Sequence, residues 1–324
     1  MKHPMPKKIT FLLALIVALG LPLVLRSGSL ASEVLIYALA ALGCNLLLGY
    51  TGLLSFGQGI FFGLGSYTIA ILLTRLQLPM PLALLAAIAM GALGAAVVGW
   101  VAIRQRGTYF VMLTLAFAQM FYFVAYTASG LTGGDNGLLD VPRPAFMDTP
   151  WKYYAFVAVV FLIAFGLLLR VTDSVFGRTL LAIRDNEDRA AAVGYNLKRF
   201  KLLAFVISGA VTGLAGGLHA MMTGIAPLSN AEYHTSEMIL VITVIGGTGN
   251  LFASVLGSAF YVLLADWLST LWPRWLLLLG LLLIGVSIGM QRGLWGLGES
   301  AWRRVFRKAP PSAPAAPHVQ GEKA

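Results

Sequence analysis

Long apolar runs with almost no charge inside them constrain this chain more than any other feature. They recur along its 324 residues, and several approach ~20 residues, the length an α-helix needs to cross ~30 Å of hydrocarbon. Only 11% of the residues are charged, where a soluble domain carries about a quarter. The mean hydropathy is +0.82. A transmembrane β-barrel would show alternating segments of about ten residues, and none occur. The fold class expected is therefore all-α: a polytopic helical membrane protein.

Residues 9–25 form the first run, behind Lys2, Lys7 and Lys8. Ser29-Leu30-Ala31 resembles a small-x-small cleavage site, but the length of the run and Arg26 after it favour a retained span. Further spans are expected at 33–49, 51–74, 81–102, 109–128, 151–170, 202–222 and 275–290. The third carries Gly52, Gly57, Gly59, Gly63 and Gly65, a density that suits a broken or partly re-entrant helix. Gly209, Gly213 and Gly217 give the seventh a seam of small residues for close helix packing. In 236–265 two apolar pieces are divided by Gly246-Gly247-Thr248-Gly249-Asn250, where a re-entrant hairpin would turn. The expectation is about eight full spans plus one re-entrant or broken Gly-rich segment. The membrane region is 9–291, after a short N-terminus at 1–8. A tail at 292–324 is basic at first and then Pro/Ala-rich, a composition that does not fold alone.

Basic residues sit between and after the apolar runs, as topology signals do. The net charge of +10 thus gives no reason to expect nucleic acid. With the N-terminus inside, the outside segments hold only Arg26, Arg75, Arg143, Lys152 and Arg274 of the 23 Lys and Arg residues. That bias places both termini inside, provided 236–265 enters and leaves on one side. The polar loop 129–150 then lies outside.

One charged segment interrupts the pattern. The loop 171–201 carries Arg178, Arg184, Arg189, Lys198, Arg199 and Lys201 with Asp173, Asp185, Glu187 and Asp188. It reads as a short amphipathic helix with Leu180, Leu181, Ile183, Ala191 and Val193 on the apolar side. Gly194 stands where a helix C-cap needs a left-handed residue. Two readings are open from this pattern: a handle by which a soluble motor moves the membrane domain, and a solvated loop with no partner.

The chemistry that is missing narrows the function. The spans hold almost no ionisable groups, which disfavours ion-coupled transport. The chain has no phosphate-binding G-x-x-x-x-G-K-[ST] loop, so any ATP must be handled elsewhere. Cys44 is the single cysteine and the four histidines are scattered, so neither a disulfide nor a metal site is expected. No nucleophile with a nearby base stands out; Ser55 and Ser66 read as small packing residues. What is left is a charge-poor bundle with Gly-rich breaks and one charged loop, as in a permease driven by a separate ATPase.

Five stretches resemble, in order, the signatures of the branched-chain amino acid permease family of ABC importers. They are Gly49 to Tyr67 (GYTGLLSFGQGIFFGLGSY), Arg106 to Phe117 (RGTYFVMLTLAF), Thr132 to Leu138 (TGGDNGL), Phe176 to Gly194 continuing through Lys201 to Ala210, and Ile245 to Gly257 (IGGTGNLFASVLG). The chain is similar to the LivM-type permease subunit in particular. The resemblance implies a second, LivH-type permease, two ATP-binding subunits and a periplasmic substrate-binding protein, in a bacterial inner membrane. It implies no cofactor on this chain, ATP-Mg being held by the partner subunits. Asp188 to Gly194 keeps the acid-x5-Gly spacing of the importer coupling motif. Arg178, Arg184, Asp185, Glu187, Asp188, Ala191 and Gly194 are accordingly the expected ATPase-coupling residues. Gln58 stands where the family often has His, and Gln291-Arg292-Gly293-Leu294 lacks the family's proline.

An amino acid zwitterion needs no acid/base pair to be moved; helix ends at broken segments can face its charges. Ser55, Gln58 and Tyr67, with Gly246, Gly247, Thr248, Gly249 and Asn250, are expected near the translocation path, or else simply pack helices. The expected cargo is a branched-chain, apolar amino acid. Urea and short-chain amides are the alternative, a stand-alone facilitator a further one, and an intramembrane enzyme the last.

Overall fold

The protein is described by a computed structural model over residues 7–25, 27–144, 147–271, 274, 276–281, 284 and 293–296. The described residues form an all-helical bundle with no strands, apart from one isolated bridge between Leu138 and Ala226. In order the helices are α1 (Lys7–Val24), α2 (Gly28–Asn45), α3 (Gln58–Thr74), α4 (Met80–Ala102), α5 (Thr108–Thr127), α6 (Ser129–Thr132) and α7 (Pro150–Asp173). They continue with α8 (Val175–Asp185), α9 (Glu187–Ala192), α10 (Leu197–Thr223), α11 (Tyr233–Gly246) and α12 (Leu251–Leu271). Six are long and apolar enough to cross a membrane, α2 being counted with the turn that follows it; α1, α3 and α11 hold shorter apolar helices. The expected span at 275–290 lies mostly outside the described residues, as do 1–6 and the tail beyond 296.

α2 is the axis of the bundle. It runs on through a π-helical turn, Leu46–Thr51, and 83% of this span is buried, against 22% of α5 at the periphery. α10, α12, α7 and α11 surround it. α12 lies antiparallel to it: Ser258 donates to the Val34 carbonyl, and Asn45 at the other end donates to the Asn250 carbonyl.

The glycine seam expected on α10 is where α3 and α4 pack. A Cβ on Gly65 would sit 1.9 Å from the Gly213 carbonyl oxygen, and one on Gly91 would sit 2.4 Å from that of Gly209. Backbones this close leave no room for any side chain, which is how helices associate where burial against lipid supplies no driving force.

The Gly-rich third span is broken, as its composition predicts. Residues 52–57 are non-helical, and α3 starts only at Gln58. Its 17 residues cover about 25 Å, short of the bilayer core. The 247–250 break is also present, but it does not lie at mid-depth. It sits at the end of the bundle that carries the charged segment, against Asn45 and Arg184. α11 starts at the level of the α3 N-terminus, where the Gly59 N–H donates to Ser236 Oγ (2.7 Å). The other half of its crossing is made by residues 224–232, pinned by the Leu138–Ala226 bridge and by Asn230 Nδ2 donating to Ser66 Oγ (2.9 Å). A descent and a return replace the re-entrant hairpin. Both arrangements leave the chain on the same side, so the charge argument for the tail is unaffected.

Candidate functional site

The charged segment is two short helices, not one. Ser174 caps α8 through the Gly177 N–H. Asn186 then breaks the helix with an extended backbone (φ −162°), and its side chain accepts from the Arg189 N–H at 2.8 Å to start α9. Asn and Ser suit such caps because a short side-chain oxygen reaches an orphan N–H. Leu180 and Ile183 are buried beneath α8, as expected. Ala191 and Val193 are not on a buried side: both are exposed, Val193 to 73%. The kink at Asn186 rotates α9 so that Ala190 faces in instead. Gly194 is left-handed (φ +96°), as its C-cap role predicts.

α8 packs under the π-helical turn that ends α2. Here the Arg184 guanidinium donates to the Gly49 carbonyl, and its other end lies 3.7 Å from Asp185. Gly49 in turn abuts the 247–250 break. The Gly249 N–H donates to Asn45 Oδ1 (3.0 Å), while Asn45 Nδ2 donates to the Asn250 carbonyl (2.8 Å) and Ser254 Oγ (2.9 Å). Asn45 is fully buried, so these bonds satisfy an amide that would otherwise be costly there. The result is a polar knot at which the charged loop, the end of α2 and the α11–α12 turn meet.

The expected coupling residues divide by direction. Arg184 and Glu187 turn toward the bundle. Glu187 is bonded to Lys201, whose side chain is only 6% exposed, and lies 3.6 Å from Arg106. Asp188 also pairs with Arg106 at 3.8 Å but is otherwise exposed. Arg178, Asp185, Asp188, Ala191 and Gly194 face outward. Exposed Val175, Val193 and Tyr195 add apolar surface to that face.

The residues expected near a path fall into two groups. Of the turn residues, Gly249 and Asn250 belong to the knot, whereas Gly246 ends α11 against Ala253 and Gly257 of α12 and Thr248 is exposed. Ser55 precedes α3, Gln58 is its first residue and Tyr67 lies past its middle, each buried. Gln58 Nε2 donates to Ser208 Oγ (3.0 Å), Thr212 donates to Gln58 Oε1 (2.8 Å), and Ser208 donates to the Gly43 carbonyl (2.7 Å). Gln58 therefore ties α3 to α10 and, through Ser208, to α2. Ser55 Oγ accepts from the Gly57 N–H at 3.1 Å. The Tyr67 hydroxyl is buried without a hydrogen-bond partner among the described residues. Sequence reasoning missed Asn45, Asn186 and Lys201 as organising residues. The signal for Asn45 is a lone amide inside an apolar run. For Lys201, only the fold shows that it is buried against Glu187. No group of three or more His, Cys, Asp or Glu among the described residues could hold a metal.

Residues 26–287 match the family described as the branched-chain amino acid transport system permease component. The chain is 31% identical to the high-affinity branched-chain amino acid transport system permease protein LivM of Salmonella typhimurium. That alignment covers 89% of this chain and 75% of the relative. LivM of Escherichia coli is 30% identical over the same shares. The probable branched-chain amino acid transport permease protein LivH of Methanocaldococcus jannaschii is 27% identical, over 74% of this chain and 78% of the relative. No solved structure matches.

Proposed function

Because this chain belongs to the branched-chain amino acid transport permease family, we propose that it passes branched-chain amino acids across the bacterial inner membrane as one of two permeases of an ABC importer. The similarity to both LivM and LivH proteins supports a paired permease, with this chain in the LivM-type place. Two ATP-binding subunits and a periplasmic binding protein complete the assembly. This chain holds no cofactor of its own; ATP-Mg belongs to the ATP-binding partners. Both termini and the α8–α9 loop lie in the cytoplasm.

The observation that carries the reading is the contact of Arg184 with Gly49. It makes the outward face of α8 and α9 mechanically continuous with the central helix. A partner that grips Arg178, Asp188, Ala191 and Val193 moves α8, and α8 bears on the end of α2. An exposed helix laid in a groove of a soluble protein is a common recognition mode. Rigid-body rocking of packed helices then follows without chemistry on this chain. Ser55, Gln58 and Tyr67 stand in the wall of the path, and the 246–250 turn stands at its cytoplasmic end.

The test is purification of the tagged chain from its native membranes, with uptake measured in parallel. A second permease and ATP-binding subunits should accompany it, and should be lost when 176–194 is scrambled. Leucine should compete for uptake and urea should not. A well-folded chain that is repeatedly recovered alone, or uptake blocked by urea and not leucine, would contradict the reading.

A further inference from the structure

A basic recess lies at the charged end of the bundle, beside the Glu187–Lys201 pair. Two adjoining cavities of about 370 and 380 Å³ share Ile103, Arg104 and Lys198 in their walls. They lie between the end of α4 and the start of α10. Arg104, Arg106, Lys198, Arg199 and Lys201 line them, against one carboxylate, Glu187. Glu187 is already taken by Lys201 and Arg106. Arg104, Lys198 and Arg199 have no acidic partner among the described residues, so the recess carries uncompensated positive charge.

The surroundings identify which anion suits it. Trp100 forms one wall, is 61% exposed, and has the Arg104 guanidinium 4.3 Å from its ring centroid. It lies within the last turn of a membrane-spanning helix, the level at which Trp marks the boundary between hydrocarbon and headgroups. One and two turns deeper on the same face, Val97 and Leu93 are exposed. The recess therefore opens onto a strip of apolar surface along α4. A soluble anion would use the cations and leave that strip idle. An anionic phospholipid uses both, its phosphate at Arg104, Lys198 and Arg199 and its acyl chains along Leu93 and Val97.

We propose that this recess is a binding site for an anionic phospholipid. Basic pockets between transmembrane helices on the cytoplasmic side are suited to such headgroups. The site also adjoins α9, because Glu187 and Lys201 belong to its wall. A bound lipid thus braces the pair that holds the first turn of α9 to α10.

The full chain, purified and reconstituted in phosphatidylcholine vesicles, carries its own reporter in Trp100. Small fractions of brominated phosphatidylglycerol should quench tryptophan emission at lower content than brominated phosphatidylcholine does. Trp100→Phe should abolish that difference. Combined Arg104→Gln, Lys198→Gln and Arg199→Gln should also abolish it, each lost charge weakening binding roughly five-fold, as expected for a basic residue near an anionic surface. Lys198→Gln alone, at an exposed position, should weaken the preference even if the triple variant does not fold. Equal quenching by the two lipids, or an unchanged preference in Lys198→Gln, would overturn the proposal. Loss of the preference on adding millimolar inorganic phosphate would assign the recess to a soluble phosphate and overturn it equally. No arm needs an ATPase or a transported solute, so the outcome bears on the lipid site alone.

Discussion

Gly49 shows how little space the polar knot leaves. A Cβ there would lie 2.1 Å from Asn45 Oδ1 and 2.4 Å from the Gly249 nitrogen. Gly49→Ala must therefore push the 247–250 turn away from α2 or break the Asn45 bonds. Overpacking a tight contact costs about 1–3 kcal/mol, and an unsatisfied buried amide costs about as much again. The expected outcome is a lower thermal midpoint of the purified protein together with lost uptake. A midpoint and uptake both equal to wild type would show that the knot is looser than these distances imply. The sequence marks Gly49 as the start of a glycine-rich stretch, and marks Asn45 as an odd amide in apolar surroundings. That both meet Gly249, 200 residues or more along the chain, is a tertiary fact, and no local pattern encodes it.

At the scale of elements, the apolar runs were legible because hydrocarbon demands continuous apolar length and permits little else. The Gly194 cap was legible for a similar reason, since only one backbone conformation suits a helix end of that kind. With φ +96° and no atom near a built Cβ, Gly194→Ala meets strain without steric conflict. It should cost about 1–2 kcal/mol, felt mainly by α9, and so reduce uptake partially. Gly194→Pro cannot adopt that φ at all and should uncouple transport while the bundle stays folded. Uptake and subunit capture measured side by side would check the pair; full uptake by the proline variant would contradict it. The division of α8 from α9 was harder to see. Asn186 sits inside a charged stretch whose periodicity continues through it, so the helical pattern masks the cap. Residues 224–232 were harder still. Pro227 and polar Asn230 read as an external loop, yet Asn230 is buried beside Ser66 and His219. Its partners on α3 and α10, not its own sequence, take this segment to depth.

At the scale of the whole molecule, the 247–250 break sits at the same end as α8 and α9, and the direction of every helix from α2 to α12 follows from that. Thr248 is exposed there, while the single native cysteine, Cys44, is buried. In a Cys44→Ala background, Thr248→Cys should react with a membrane-impermeant maleimide from the face that also labels Arg178→Cys. Asp140→Cys, exposed on the opposite loop, should react only from the other face. A Thr248→Cys that reacts with Asp140→Cys, or from neither face, would restore the mid-membrane turn.

In the importer proposed above, motion reaches the bundle through α8 and its Arg184 contact with Gly49. The direct measurement is leucine uptake and ATP hydrolysis by the reconstituted importer carrying Arg184→Glu. The substitution leaves the outward face of α9 intact but sets a carboxylate against the Gly49 carbonyl. The ATP-binding subunits should still bind and still hydrolyse ATP while uptake falls to background. Uptake at the wild-type rate, with the same subunits bound, would contradict it.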